Sequence, residues 1–157
     1  MTPLIVFGAT YLIAPVIICT AIALSFNKER RKRLTWTLAI ALPLGLVLAR
    51  LAGLLFQHNQ PFAVEGFEPL VWHDVDNAFP SDHVAVGGVF ASVAFLGNPR
   101  VGLVLWVFAL LVGLARMLAG LHYGVDVLAA AVLALAAVWV ARLVLNRLAP
   151  GVGTGQS

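Results

Sequence analysis

Charge is scarce in this chain. Asp, Glu, Lys and Arg together make up 11% of its 157 residues, against roughly 25% in soluble globular domains. Cysteine occurs once, as Cys19. A single thiol excludes an internal disulfide, and its apolar surroundings predict a small buried hydrophobe. The first apolar stretch has neither a basic leader nor a cleavage site, which predicts a spanning helix rather than a signal peptide. No internal repeat of the kind common in transporters is visible. Polar sequence is too short for a second soluble domain or a nucleic-acid-binding module, so nucleic acid is not an expected partner.

What fills the chain instead is apolar side chain. Residues of the AVILMFWYC set reach 61%, and the mean hydropathy is +0.96. A soluble domain of this size has too much surface to hide that much apolar material. At about 20 residues per spanning helix, the apolar content supports four or five spans. The fold class is therefore an all-α polytopic membrane bundle, with the bilayer as its first partner. Residues 1–149 are expected to form one transmembrane domain, and the Gly-rich 150–157 a flexible tail.

The spans read as Pro3 to Phe26, Leu34 to Phe56, Asp82 to Leu96, Val101 to Ala119 and Val125 to Leu148. The isoelectric point near 9.6 is a topology signal here. Lys28, Arg30, Arg31, Lys32, Arg33, Arg100, Arg142 and Arg147 fall at one set of helix ends, with only Glu29 against them. The segment Gln57 to Ser81 holds Glu65, Glu68, Asp74 and Asp76 and neither Lys nor Arg. The positive-inside rule puts the basic ends in the cytoplasm and this segment outside. Five spans with an outer amino terminus follow. Trp36, Trp72, Trp106 and Trp139 are expected as interfacial anchors or core.

Charges inside a bilayer are costly and usually functional. Here they collect at the outer ends of separate spans. Asp82 and His83 open the third span, Arg116 closes the fourth, and His122 and Asp126 flank the start of the fifth. Arg50 lies in the outer half of the second. His122 and Asp126 are four apart and would share a helical face. A carboxylate there can accept from one imidazole nitrogen and leave the other free as nucleophile or base. Ser81 fits an N-cap, a phosphate ligand or both, and the free amides after it attract anions. Arg116 offers a planar fork matched to phosphate oxygens. Arg50 fits either substrate contact or an ion pair with a loop acid. The set is suited to phosphoryl transfer. One histidine attacks phosphorus and the other protonates the leaving oxygen.

These residues resemble the type-2 phosphatidic acid phosphatase superfamily. Phe79-Pro80-Ser81-Asp82-His83 is similar to its second motif, usually Pro-Ser-Gly-His, and Arg116-x5-His122-x3-Asp126 to its third, with the spacing intact. The stretch Phe56-Gln57-His58-Asn59-Gln60-Pro61-Phe62 resembles the first-motif region of bacitracin-resistance-type undecaprenyl-diphosphatases, which reads much like His-x-Arg-Pro-Phe. His73-x2-Asp76-Asn77 is also similar to that subgroup. The resemblance covers about residues 51–128. It departs from the family at Gln60, where Arg is usual, and at Gly53, where a gapless count puts Lys. Asp82 replaces the usual Gly, and the count of spans is five rather than six.

The resemblance implies a lipid phosphatase of a bacterial plasma membrane, with its site facing the periplasm or exterior. His122 would be the nucleophile, Asp126 its orienting group and His83 the acid and base. Arg116, Ser81, Asp82, Gln60 and Arg50 would hold the phosphate, with Arg50 standing in part for the missing cations. Undecaprenyl diphosphate is the implied substrate. Phosphatases of phosphatidylglycerophosphate or lipid A, or a non-catalytic lipid-phosphate binder or transporter, are the alternatives. The family works without metal or cofactor, and His58, His73, Asp74 and Asp76 fit no standard ligand spacing, so none is expected.

Overall fold

The structure, a computed structural model, describes residues 1–28 and 30–148. The expected tail at 150–157 and Glu29 lie outside the described residues. The architecture is all-helical: α1 (Thr2–Tyr11), α2 (Ile13–Phe26), α3 (Arg31–Leu55), the short α4 (Pro61–Glu65), α5 (Asp82–Gly97), α6 (Pro99–Leu118) and α7 (Gly124–Leu148).

The spans fall where the apolar runs predict, with two differences. The first is split, α1 and α2 meeting at Leu12 with a bend of 43°. The third, α5, is 16 residues long, shorter than the about 20 that a full crossing takes. Among the described residues α3, α6 and α7 are each long and apolar enough to cross a bilayer, and the count is four where the bent pair is taken as one span. The short α5 packs against α2, α3, α6 and α7. Its companions enclose it, so its limited length exposes little of its backbone.

Packing here follows the membrane pattern rather than the soluble one. Large side chains such as Leu51, Leu54, Leu103, Leu110, Leu128 and Trp139 face outward, while Ala41, Ala91, Ala94, Ala109, Ala134, Ala137 and Ala141 are buried between helices. Lipid tails are as apolar as leucine, so helices gain by close approach through small residues. At Gly102 an added Cβ would overlap the Phe95 backbone, and at Gly88 it would meet Ala134 Cβ at 2.8 Å and the Trp106 ring at 2.9 Å. Trp106 belongs to this core, whereas Trp36, Trp72 and Trp139 are exposed. Cys19 departs from expectation and lies on the outer surface of α2. The neighbouring positions that turn inward are Val16 and Thr20.

The segment 57–81 is not a plain polar loop. Pro61 starts α4, and Gly66, in the left-handed conformation at φ 73°, ends it. Phe62 packs with Ala9, Ala115, Ala119 and Leu121. The segment is thereby pinned across the ends of α1 and α6. A single antiparallel bridge, Asn59 to Asn77, closes it on itself.

Candidate active site

The cavity at this end of the bundle has a volume of about 310 Å³. Arg50 and Gly53 of α3, Gln57, His73, Asp76 and Asn77 of the connecting segment, Asp82 and His83 of α5, Arg116 of α6 and His122 all line it. Five of the eight residues expected from sequence, namely Arg50, Asp82, His83, Arg116 and His122, thus meet in one space.

His122 sits in the connection ahead of α7 rather than on the helix, which changes its partner. Its Nδ1 is 2.9 Å from the Ala78 carbonyl oxygen and 3.6 Å from Asp126 Oδ2. Hydrogen bonds from nitrogen to oxygen fall at about 2.7–3.2 Å. The expected direct Asp126–His122 hydrogen bond is therefore replaced by a bond to a backbone carbonyl, with Asp126 as a nearby charge. A carbonyl only accepts, so Nδ1 must carry the hydrogen. In the neutral ring Nε2 then keeps its lone pair.

Asp126 is fully buried, with 0% exposure, and does not line the cavity. From the first turn of α7 its Oδ2 accepts the Tyr123 N–H at 2.7 Å, the reach-back of a capping box. Its own carbonyl accepts from the Ser81 N–H at 3.3 Å, which ties the start of α7 to the start of α5.

Arg116 is 5% exposed. Its Nη1 donates to the Ala9 carbonyl at 3.4 Å, and its Nε has no partner among the described residues. It enters no ion pair among them either. A buried guanidinium with one neutral acceptor is electrostatically incomplete. An anion in the cavity would complete it.

The other four expected phosphate ligands, Gln60, Ser81, Arg50 and Asp82, behave differently. Gln60 is 1% exposed and turned away from the cavity. Its Nε2 donates to the Asp74 carbonyl at 3.2 Å and to Asp76 Oδ1, while its Oε1 accepts the Asp76 N–H at 3.2 Å. With both ends of its amide engaged, Gln60 clamps the 74–76 stretch and is not placed to hold phosphate. Ser81 occupies the N-cap position of α5 without a side-chain cap bond, and its buried Oγ has no partner among the described residues. Arg50 is swung outward and pairs with Asp82 at 3.3 Å, the two side chains being 79% and 48% exposed. Its partner is an acid of a helix start rather than of the loop.

Gly53 explains the other missing cation. A Cβ there would lie 2.9 Å from the Phe79 carbonyl oxygen and 3.2 Å from Asn77 Nδ2, so the position has no room for a side chain. Asn77 uses that space. Its Nδ2 donates to Gly53 O at 2.9 Å and Phe79 O at 3.0 Å, and its Oδ1 accepts from the N–H groups of His58 and Phe79 at 3.2 and 3.1 Å. Sequence reasoning missed Asn77 as a site organiser and His73 and Gln57 as cavity walls. The His73-x2-Asp76-Asn77 spacing pointed toward His73 and Asn77, and the Phe56–Phe62 stretch contained Gln57 without singling it out.

Three histidines and an incomplete cation line one cavity at the end of a membrane bundle, an arrangement suited to a membrane-embedded hydrolase of phosphorylated lipid. The chain belongs to the PAP2 superfamily, which residues 36–149 match. It is 36% identical over 134 residues to the undecaprenyl-diphosphatase BcrC of Bacillus subtilis, covering 84% of this chain and 68% of that protein. It is 29% identical to the bacitracin transport permease protein BcrC of Bacillus licheniformis, covering 85% and 66%. The chain thus spans about two thirds of the length of these relatives. Its fold is similar to that of LpxE from Aquifex aeolicus, with a TM-score of 0.66 at 21% identity over 90% of this chain and 93% of that one.

Proposed function

We propose that the protein removes the terminal phosphate of a lipid diphosphate, with undecaprenyl diphosphate converted to undecaprenyl phosphate, at the extracytoplasmic face of a bacterial plasma membrane. The observation that carries this reading is the fixed Nδ1–H tautomer of His122 in the same cavity as the incomplete Arg116. The relative named an undecaprenyl-diphosphatase supports the choice of substrate. The acidic segment 57–81 opposite the basic helix ends supports the choice of face.

In this mechanism His122 Nε2 attacks the terminal phosphorus in line. The bond from phosphorus to the bridging oxygen breaks, and the lipid monophosphate leaves. His83 protonates that oxygen. His83 then takes a proton from water, whose oxygen attacks the phosphohistidine and releases inorganic phosphate with His122 restored. Arg116 holds the non-bridging oxygens, whose charge grows in the transition state. Asp126 stabilises His122 while it is positively charged. Asp82 shapes the cavity mouth through its hold on Arg50. Ser81 and Gln60, both out of the cavity lining, act on the scaffold.

Phosphate release by detergent-solubilised protein tests the reading. A panel of prenyl diphosphates, phosphatidylglycerophosphate and lipid A is compared for wild type and His122→Ala. The expected result is prenyl diphosphate hydrolysis by wild type and a loss of about 10³-fold or more in the variant. Equal release by the two proteins would overturn it and leave a lipid-phosphate binder. Reagent labelling of a cysteine placed in the 57–81 segment of whole cells tests the face.

A further inference from the structure

His58 is the one imidazole near the site that stands outside the cavity lining. Its backbone is fixed on both sides. The N–H donates to Asn77 Oδ1 at 3.2 Å, and the carbonyl accepts from Ala78 N–H at 2.9 Å. Its ring is walled by Phe56 and Tyr123, each with ring centroids 5.3 Å away and in edge contact, and by Phe79 at 6.2 Å. Three aromatic neighbours wall the ring, and its Nε2 has no well-aligned hydrogen bond among the described residues. The polar group within reach is Asp126, whose Oδ1 is 3.0 Å from His58 Nε2.

The carboxylate is short of partners on that side. Oδ2 takes the Tyr123 N–H, while Oδ1 has no well-aligned hydrogen bond among the described residues despite the close approach of His58. A fully buried carboxylate with one backbone donor is a costly arrangement. The separation of 3.0 Å is already right for a hydrogen bond, and a turn of the imidazole would bring an Nε2–H into line with Oδ1.

We infer that His58 is a positioning residue for the reaction, acting through Asp126: it holds the carboxylate between two imidazoles and so fixes how Oδ2 addresses His122. The same short segment serves both rings, because Ala78 gives its N–H to the His58 carbonyl and its carbonyl to His122 Nδ1. Without His58 the carboxylate can rotate about its own axis, and the charge that steadies His122 loses its aim. Substrate binding should be untouched, since neither His58 nor Asp126 lines the cavity. This inference rests on His122 being the nucleophile.

The test is steady-state hydrolysis of farnesyl diphosphate in detergent by wild type, His58→Phe, His58→Gln, Asp126→Asn and the His58→Phe/Asp126→Asn double variant. Phenylalanine fills the aromatic box without a donor, and glutamine restores an N–H at similar reach. The expected result is a fall in kcat of about tenfold or more for His58→Phe with KM unchanged, and recovery of most of it by His58→Gln. In the Asp126→Asn background His58→Phe should cost little more, the non-additivity of residues acting on one group. Wild-type kcat in His58→Phe, an effect confined to KM, or full additivity with Asp126→Asn would each overturn it. Should His58→Phe fail to fold, His58→Gln and its double variant with Asp126→Asn carry the test, and a tenfold loss in the single Gln variant counts against the inference. Retained activity in His122→Ala would instead sink the mechanism on which the inference depends.

Discussion

The two walls of the cavity are built in opposite ways. The inner wall holds His122 and Arg116, buried and aimed by backbone carbonyls of Ala78 and Ala9. The outer wall holds Arg50 and Asp82, exposed and paired with each other. Carbonyl partners belong to the backbone and cannot swing away as a side chain can. An exposed ion pair is worth little in water, about 0–1 kcal/mol, and exchanges readily. The difference separates side chains held by the backbone from side chains free to move.

This contrast can be broken at its strongest point first. Arg116→Gln keeps a polar side chain and removes the charge. A loss of about 10²–10³-fold in kcat is expected, the usual cost of deleting one fixed transition-state donor. A change in KM alone would mean that Arg116 belongs with the outer wall. Asn77→Ala comes next. It strips hydrogen bonds from the Gly53 and Phe79 carbonyls and from two N–H groups. Net values of about 0.5–1.5 kcal/mol per bond predict a lower thermal midpoint in detergent and a reduced kcat, because the segment that carries Ala78 loosens. The smallest effect belongs to Arg50→Leu. A few-fold change in KM, shrinking as salt rises, is expected in initial-rate measurements. A kcat loss as large as that of Arg116→Gln would show the two walls to be equivalent.

Much of the inner wall was legible in the sequence, and little of what aims it was. The spacing Arg116-x5-His122-x3-Asp126 and the helix start at Ser81 required only local periodicity and motif reading. The helical runs followed from apolar length, although five expected spans became three helices of crossing length, a bent pair and the short α5. The bond from His122 to Ala78 could not be read this way, because it joins residues 44 apart in sequence. Placing His122 and Asp126 on a common helix face failed for a local reason: Gly124 starts α7 two residues too late to include His122. Gln60 was misread because its residue type fits phosphate as well as it fits the backbone of Asp76. Only the turn of the segment back upon itself decides between them. Cys19 illustrates the bilayer's inversion of the usual rule, since an apolar run no longer means an inward side chain.

The match to the PAP2 superfamily begins at residue 36, yet the acceptor for Arg116 is the carbonyl of Ala9 on α1. Gly8, its neighbour, permits that approach, because a Cβ there would sit 2.9 Å from Ala115 Cβ. A chain shortened to the matched segment would keep every recognisable motif and lose the carbonyl to which Arg116 donates. The matched segment and the set of groups that fix the cavity therefore differ in extent. Engineering that transplants only the signature should deliver a poorly poised arginine.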